Sequence, residues 1–174
     1  LDVKQVKLFK TLRYGLRRKI REHGFVQEDK RLGRITQSLP GHFSVIRKSL
    51  IDELTIHEPL LKYSDDWWRI VNSGLPNIIA EAKKDKNSRR LMVFNDQDYQ
   101  SIFQCFTSFQ FVYTERKKFD MYVYQRSSDL DKLHDDLIFY TAIARFFQRN
   151  VMIPVTKIVI IFGHIHYGTG KIKK

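Results

Sequence analysis

From Ser108 to Tyr124 the chain alternates aromatic and β-branched residues with polar ones, on either side of a charged turn, Glu115-Arg116-Lys117-Lys118. Alternation puts the apolar side chains on one face of an extended backbone, and the charged break between the two runs calls for a reversal. The stretch therefore predicts two antiparallel strands joined by a hairpin. That pairing has a chemical consequence. The one cysteine of the chain, Cys105, stands just before the first strand, and the cluster Arg126-Ser127-Ser128-Asp129 stands at the end of the second. A hairpin folds both ends back to one edge of the sheet. A thiol beside a guanidinium suits nucleophilic chemistry on a substrate held by an anionic group.

At 174 residues with 43% hydrophobic side chains, the chain is long enough for one domain with a sizeable core. No apolar run reaches membrane-spanning length, which predicts no membrane segment. The longest apolar run, Ile158 to Phe162, reads as a buried strand. The first residues mix charged and apolar side chains without the contiguous hydrophobic core of a signal peptide. A lone cysteine permits no internal disulfide and fits a reducing compartment, so a cytoplasmic location is expected. Cysteine and histidine nowhere take metal-ligand spacing; His164 and His166 share a strand face, but two histidines rarely make a site. The net charge of +12 is either a solvated surface or a sign of an anionic partner, a nucleotide in a basic cleft or nucleic acid. The densest clusters are Arg17-Arg18-Lys19 with Arg21, and Lys83-Lys84 with Lys86.

Along the chain, apolar residues at helical spacing from Val3 to Ile20 predict an amphipathic helix ended by Gly24. The polar, charged run from Phe25 to Pro40 reads as a loop, and Ser44 to Leu54 as a second helix closed by Pro59. Pro76 to Asp85 reads as a third helix with proline at its start, followed by a strand reached through Asn87-Ser88-Arg89-Arg90. Leu133 to Phe147 has the broad apolar face of a long buried helix, and Lys157 to Tyr167 forms a last strand.

Two segments carry a resemblance. Cys105-Phe106-Thr107-Ser108-Phe109-Gln110-Phe111 resembles the nucleophile segment Cys-His-x-x-x-Gln-Phe of the thymidylate synthase family, which includes the pyrimidine nucleotide hydroxymethylases. Tyr124-Gln125-Arg126-Ser127-Ser128-Asp129 matches that family's phosphate segment Tyr-Gln-Arg-Ser-x-Asp without a mismatch, at a spacing that agrees to within one residue. Phe106 takes the place of the histidine that follows the family's nucleophile. The resemblance implies an α/β (α+β) fold with a mixed, mostly antiparallel sheet flanked by helices. It implies a single thymidylate synthase-like domain over residues 1–174, shortened or with segments missing, that dimerises through its sheet.

The same resemblance assigns roles. Cys105 would be the nucleophile that adds to C6 of the pyrimidine, and Glu53 would organise proton transfers around the ring. Arg126 and Ser127 would hold the phosphate with Gln125 and Asp129 from the same segment, joined by Arg89 and Arg90 of a second subunit. His166 and Tyr167 would hold the ribose hydroxyl, with His164 standing where the family has aspartate, and Trp67 would line a folate pocket. Arg31 or Arg34 is offered where the family has a phosphate-binding loop. Asp136 (Asp135 on a one-residue slip) falls where the family reads the base with asparagine. Asparagine matches N3–H and O4 of uracil. A protonated or water-bridged carboxyl matches cytosine, whereas a bare carboxylate repels O4. Within the family, aspartate at this position goes with deoxycytidylate-type substrates.

The expected activity is thus folate-dependent one-carbon transfer to C5 of a pyrimidine deoxynucleoside monophosphate, hydroxymethylation of deoxycytidylate first, with 5,10-methylenetetrahydrofolate as cofactor. The alternatives are thymidylate or hydroxymethyl-deoxyuridylate synthesis, and a non-catalytic relative that binds nucleotide or nucleic acid through its basic surface.

Overall fold

The computed structural model describes residues 3–29, 33–47, 51, 70–94 and 105–171. Among them, helix α1 (Val3–His23) is followed by strands β1 (Phe25–Asp29) and β2 (Arg34–Arg47). A π-helical turn, Ile70–Gly74, leads into α2 (Leu75–Lys84) and then β3 (Met92–Phe94). Strands β4 (Phe106–Thr114) and β5 (Lys118–Asp129), helix α3 (Leu133–Val151) and strand β6 (Val155–Lys171) complete the order. The strands form one six-stranded sheet in the order β1-β2-β6-β5-β4-β3. Every neighbouring pair is antiparallel except β5–β6, which is parallel. A parallel pair needs a long crossover, and α3 supplies it. The result is a mixed α/β architecture with a mostly antiparallel sheet. No described helix is long and apolar enough to cross a membrane.

The hairpin expected over Ser108–Tyr124 forms and extends further at both ends. Phe109 pairs with Val123, Phe111 with Met121, and Lys117 takes a left-handed φ of 56° in the turn. Pairing continues into β6, where Met121 meets Ile158 and Val123 meets Ile160, so these side chains share a face. Helix α3 packs on that face. Phe147 stacks on Phe111 at 3.8 Å between ring centroids and meets Phe119 edge-on at 5.1 Å. All three rings are fully buried, and this aromatic layer is the centre of the core.

Two expectations need correction. The run Phe25–Pro40 is not one loop: its residues 25–29 form β1 and 34–40 the first half of β2, with Phe25 opposite Ser38 and Gln27 opposite Thr36, while residues 30–32, Arg31 among them, lie outside the described residues. At a sheet edge Gln27 and Glu28 are exposed while their backbone is paired, and Gln27 Nε2 donates to Ser38 Oγ at 2.9 Å, so polarity there is no sign of a loop. Nor does Ser44 begin a helix, because β2 runs on through Arg47 with Ser44 and Ile46 inward and Val45 outward. Gly24 earns its place at the α1–β1 junction, where an added Cβ would lie 2.4 Å from the Ile20 carbonyl oxygen and 2.6 Å from that of Ser38.

The sheet's second face differs. Register carries one row across five strands through Phe43, Ile161, Tyr124, Ser108 and Phe94. A second row runs through Val45, Val159, Tyr122, Gln110 and Met92. At its margins Phe43 is 64% and Phe94 70% exposed.

Candidate active site

The site lies where β4 begins and β5 ends. Cys105, half-buried, occupies the turn just before β4. Its carbonyl accepts a 2.7 Å hydrogen bond from the backbone N–H of Arg126. The thiol and the Arg126-Ser127 pair are therefore brought to one end of the sheet by the hairpin itself. Arg126 has an exposed side chain with no ion pair among the described residues. In β6, Gly163 lets the Arg126 carbonyl come close: a Cβ there would stand 2.6 Å from that oxygen.

Behind the thiol is a connected polar network. Asp136 sits in the first turn of α3, whose positive end favours a carboxylate. Its Oδ2 accepts from Gln125 Nε2 at 2.7 Å and from Ser128 Oγ at 2.9 Å. Gln125 is locked in turn, because its Oε1 accepts from the Tyr140 hydroxyl at 2.9 Å and its Nε2 also donates to the Ser127 carbonyl at 3.0 Å. Asp136 Oδ1 accepts no hydrogen bond from the described residues, so the network leaves one carboxyl oxygen available. Burial pushes the Asp136 carboxyl up to about 6, against the pull of the Gln125 and Ser128 bonds, and the Asp135 charge adds to the rise. Tyr140 is fully buried, and burial raises its hydroxyl well above 10. The charges of Asp136 and Cys105 push the same way, so both lie within electrostatic reach of that hydroxyl.

The remaining candidates divide. Ser127 Oγ stands 3.5 Å from His166 Nδ1 across β5–β6. Asp129 is committed to structure: Arg34 donates to its Oδ2 at 2.8 Å and the Asp131 amide to its Oδ1 at 3.0 Å. Burial works to raise the Asp129 carboxyl, but those bonds and the Arg34 and His166 charges outweigh it and hold it below the usual value. Tyr167 turns away from His166, donating to Gln37 Oε1 at 2.7 Å with the Arg17 guanidinium 4.9 Å over its ring. Arg89 and Arg90 are exposed in the turn before β3, where the Phe111 amide bonds the Leu91 carbonyl. Six strand positions separate Phe111 from Cys105, roughly 20 Å, so these arginines do not join the thiol within one chain. Glu53 and Trp67 lie outside the described residues.

Sequence reasoning did not single out Ser128 or Tyr140 as parts of the site. The signal was present: Asp136 and Tyr140 are four apart on one helix, which puts them on the same face towards β5. Tyr140→Phe should leave Gln125 Oε1 buried without a donor. A loss of about 1–2 kcal/mol in urea denaturation is expected, together with a changed pH profile of the site because Gln125 is freed to rotate away from Asp136.

No protein-family model matches this chain, and no curated protein matches it.

Proposed function

We propose that the protein transfers a one-carbon unit from 5,10-methylenetetrahydrofolate to C5 of a pyrimidine deoxynucleoside monophosphate, with deoxycytidylate as the preferred substrate and hydroxymethylation as the outcome. The observation that supports this reading is that the hairpin pairs the backbone of Cys105 with that of Arg126 and sets the Gln125–Asp136–Ser128 network at the same end of the sheet. Cys105 thiolate adds to C6, which makes C5 nucleophilic, and its departure later restores the ring double bond. Arg126 and Ser127 hold the phosphate, and His166 is placed beside Ser127 to meet the sugar.

Asp136 supports the cytosine preference through its free oxygen. With Oδ2 saturated by two donors, Oδ1 is what the base meets, and opposite the C4 substituent an acceptor suits the amino group of cytosine and repels O4 of uracil. The folate supplies the one-carbon unit, and its assigned contact, Trp67, lies outside the described residues. The exposed side chains of Phe43, Val45 and Phe94 on this face favour a homodimer formed sheet to sheet, which is also what Arg89 and Arg90 need in order to act at a partner's phosphate.

The test is tritium release from C5-labelled deoxycytidylate and deoxyuridylate, each with methylenetetrahydrofolate. Release from the cytosine nucleotide is expected. Preferential release from the uracil nucleotide would overturn the assignment of Asp136, and release from neither would remove the catalytic reading.

A further inference from the structure

Six cations that the proposed chemistry leaves unused gather at the end of the sheet remote from Cys105. Lys83 and Lys84 close helix α2, and Lys86 follows it. Arg116, Lys117 and Lys118 form the tip of the β4–β5 hairpin. The two segments are far apart in sequence but meet in space, since Lys86 Nζ lies 5.1 Å from the centroid of the Tyr113 ring. The tip is held in shape: the Lys117 amide donates to the Thr114 carbonyl at 2.9 Å and Thr114 Oγ1 to the Lys118 carbonyl at 3.0 Å. All six side chains are exposed, and none is in an ion pair among the described residues. The carboxylates interspersed with them are Asp85, whose Oδ1 accepts from the Asn87 amide, and Glu115.

The contrast with α1 is informative. That helix is as basic, yet Arg13 pairs with Asp131, Arg18 with Glu22, and Arg17 lies over Tyr167. Two of its cations are in ion pairs and Arg17 is covered by a ring, with Lys10, Lys19 and Arg21 left exposed among the described residues, whereas at the hairpin end none of the six is in an ion pair. A fixed cluster of unanswered cations attracts a polyanion. Residues 83–90 and 115–118 contain no aromatic or aliphatic side chain to stack on a base or enter a lipid layer, and the neighbouring Tyr113 ring is covered by Lys86. Contact is therefore restricted to phosphates, which gives binding without base reading and favours the denser charge of a duplex over a single strand.

We propose that the α2–hairpin end of the protein docks on the phosphate backbone of double-stranded nucleic acid. The test is fluorescence anisotropy with two short duplexes of unrelated sequence, titrated with salt and repeated with single strands and with anionic phospholipid vesicles. Equal affinity for the two duplexes is expected, with log K falling linearly against log salt. Arg116→Gln/Lys117→Asn/Lys118→Gln should reduce that slope by about 2.7, or about 0.9 for each lost phosphate contact. Lys83→Gln/Lys84→Gln/Lys86→Gln should act in the same direction, and Lys10→Gln/Lys19→Gln/Arg21→Gln in α1 should leave the slope unchanged. An unchanged slope in both hairpin-end variants, an equal loss in the α1 variant, or equal binding to single strands or vesicles would overturn the proposal. Nucleotide turnover should be the same in all three variants, so this surface and the Cys105 chemistry stand or fall separately.

Discussion

Cys105→Ala should lower nucleotide turnover by at least about 10⁴-fold, because no other thiol in the chain can form the C6 adduct. The change removes one sulfur from a half-buried position in a turn, and the hydrogen bond between Arg126 and residue 105 uses the backbone carbonyl, which alanine keeps. Fold stability should therefore change by less than about 1 kcal/mol. Nucleotide binding, measured by calorimetry, should survive because Arg126, Ser127 and His166 are untouched. Retained tritium release in this variant would eliminate the covalent mechanism. Lost binding together with lost turnover would instead make Cys105 a structural residue of the site.

Asp136→Asn is expected to reverse the base preference. Asparagine can keep its Oδ1 towards Gln125 and Ser128, the two donors that hold Oδ2 in the parent protein. Its amide nitrogen then replaces the free carboxyl oxygen, and a donor there suits O4 of uracil and opposes the amino group of cytosine. A shift of about 10²-fold in the ratio of kcat/KM for the two monophosphates is expected. The same residue sets a pH dependence. Its ordinary value is 3.8, and in the folded protein it stands at about 6. Between those values the native state keeps a proton that the unfolded chain releases. The associated stability is therefore fully present below the lower value and is lost as pH rises through the upper one. Urea denaturation of parent and variant at acid and neutral pH should show their stability difference changing by up to about 3 kcal/mol in the variant's favour as pH rises.

The parts of the fold legible in the sequence are those whose pattern is local. The β4–β5 hairpin announced itself because Phe109, Phe111, Met121 and Val123 alternate on both sides of one charged turn, and α3 because its apolar face is broad. Strand β2 was not legible. Its partner β6 comes more than a hundred residues later, and Pro40 and Gly41 interrupt the run that would have marked it. The helix expected from Ser44 does not begin there for a related reason: Val45 and Ile46 fit either structure locally, and pairing with Val159 and Ile158 decides for strand through Arg47, while Ile51 is helical and residues 48–50 and 52–54 lie outside the described residues. In the site, Gln125 and Asp136 were readable from motif and position. Tyr140's bond to Gln125 required knowing that α3 lies against β5.

The position of β6 has a consequence for how the chain is made. It lies between β2 and β5, at the middle of the sheet, yet it is the last of the six strands to be synthesised. Until Val155–Lys171 leaves the ribosome, the β1–β2 ribbon and the β3–β4–β5 ribbon are separate half-sheets, each with an unpaired inner edge that can recruit another chain. Docking of α3 on β5 delivers β6 to its parallel partner, after which β2 can close on the other side. The nascent protein thus waits on a keystone, and substitutions that slow its insertion should appear first as aggregation during expression rather than as lower stability of the finished fold.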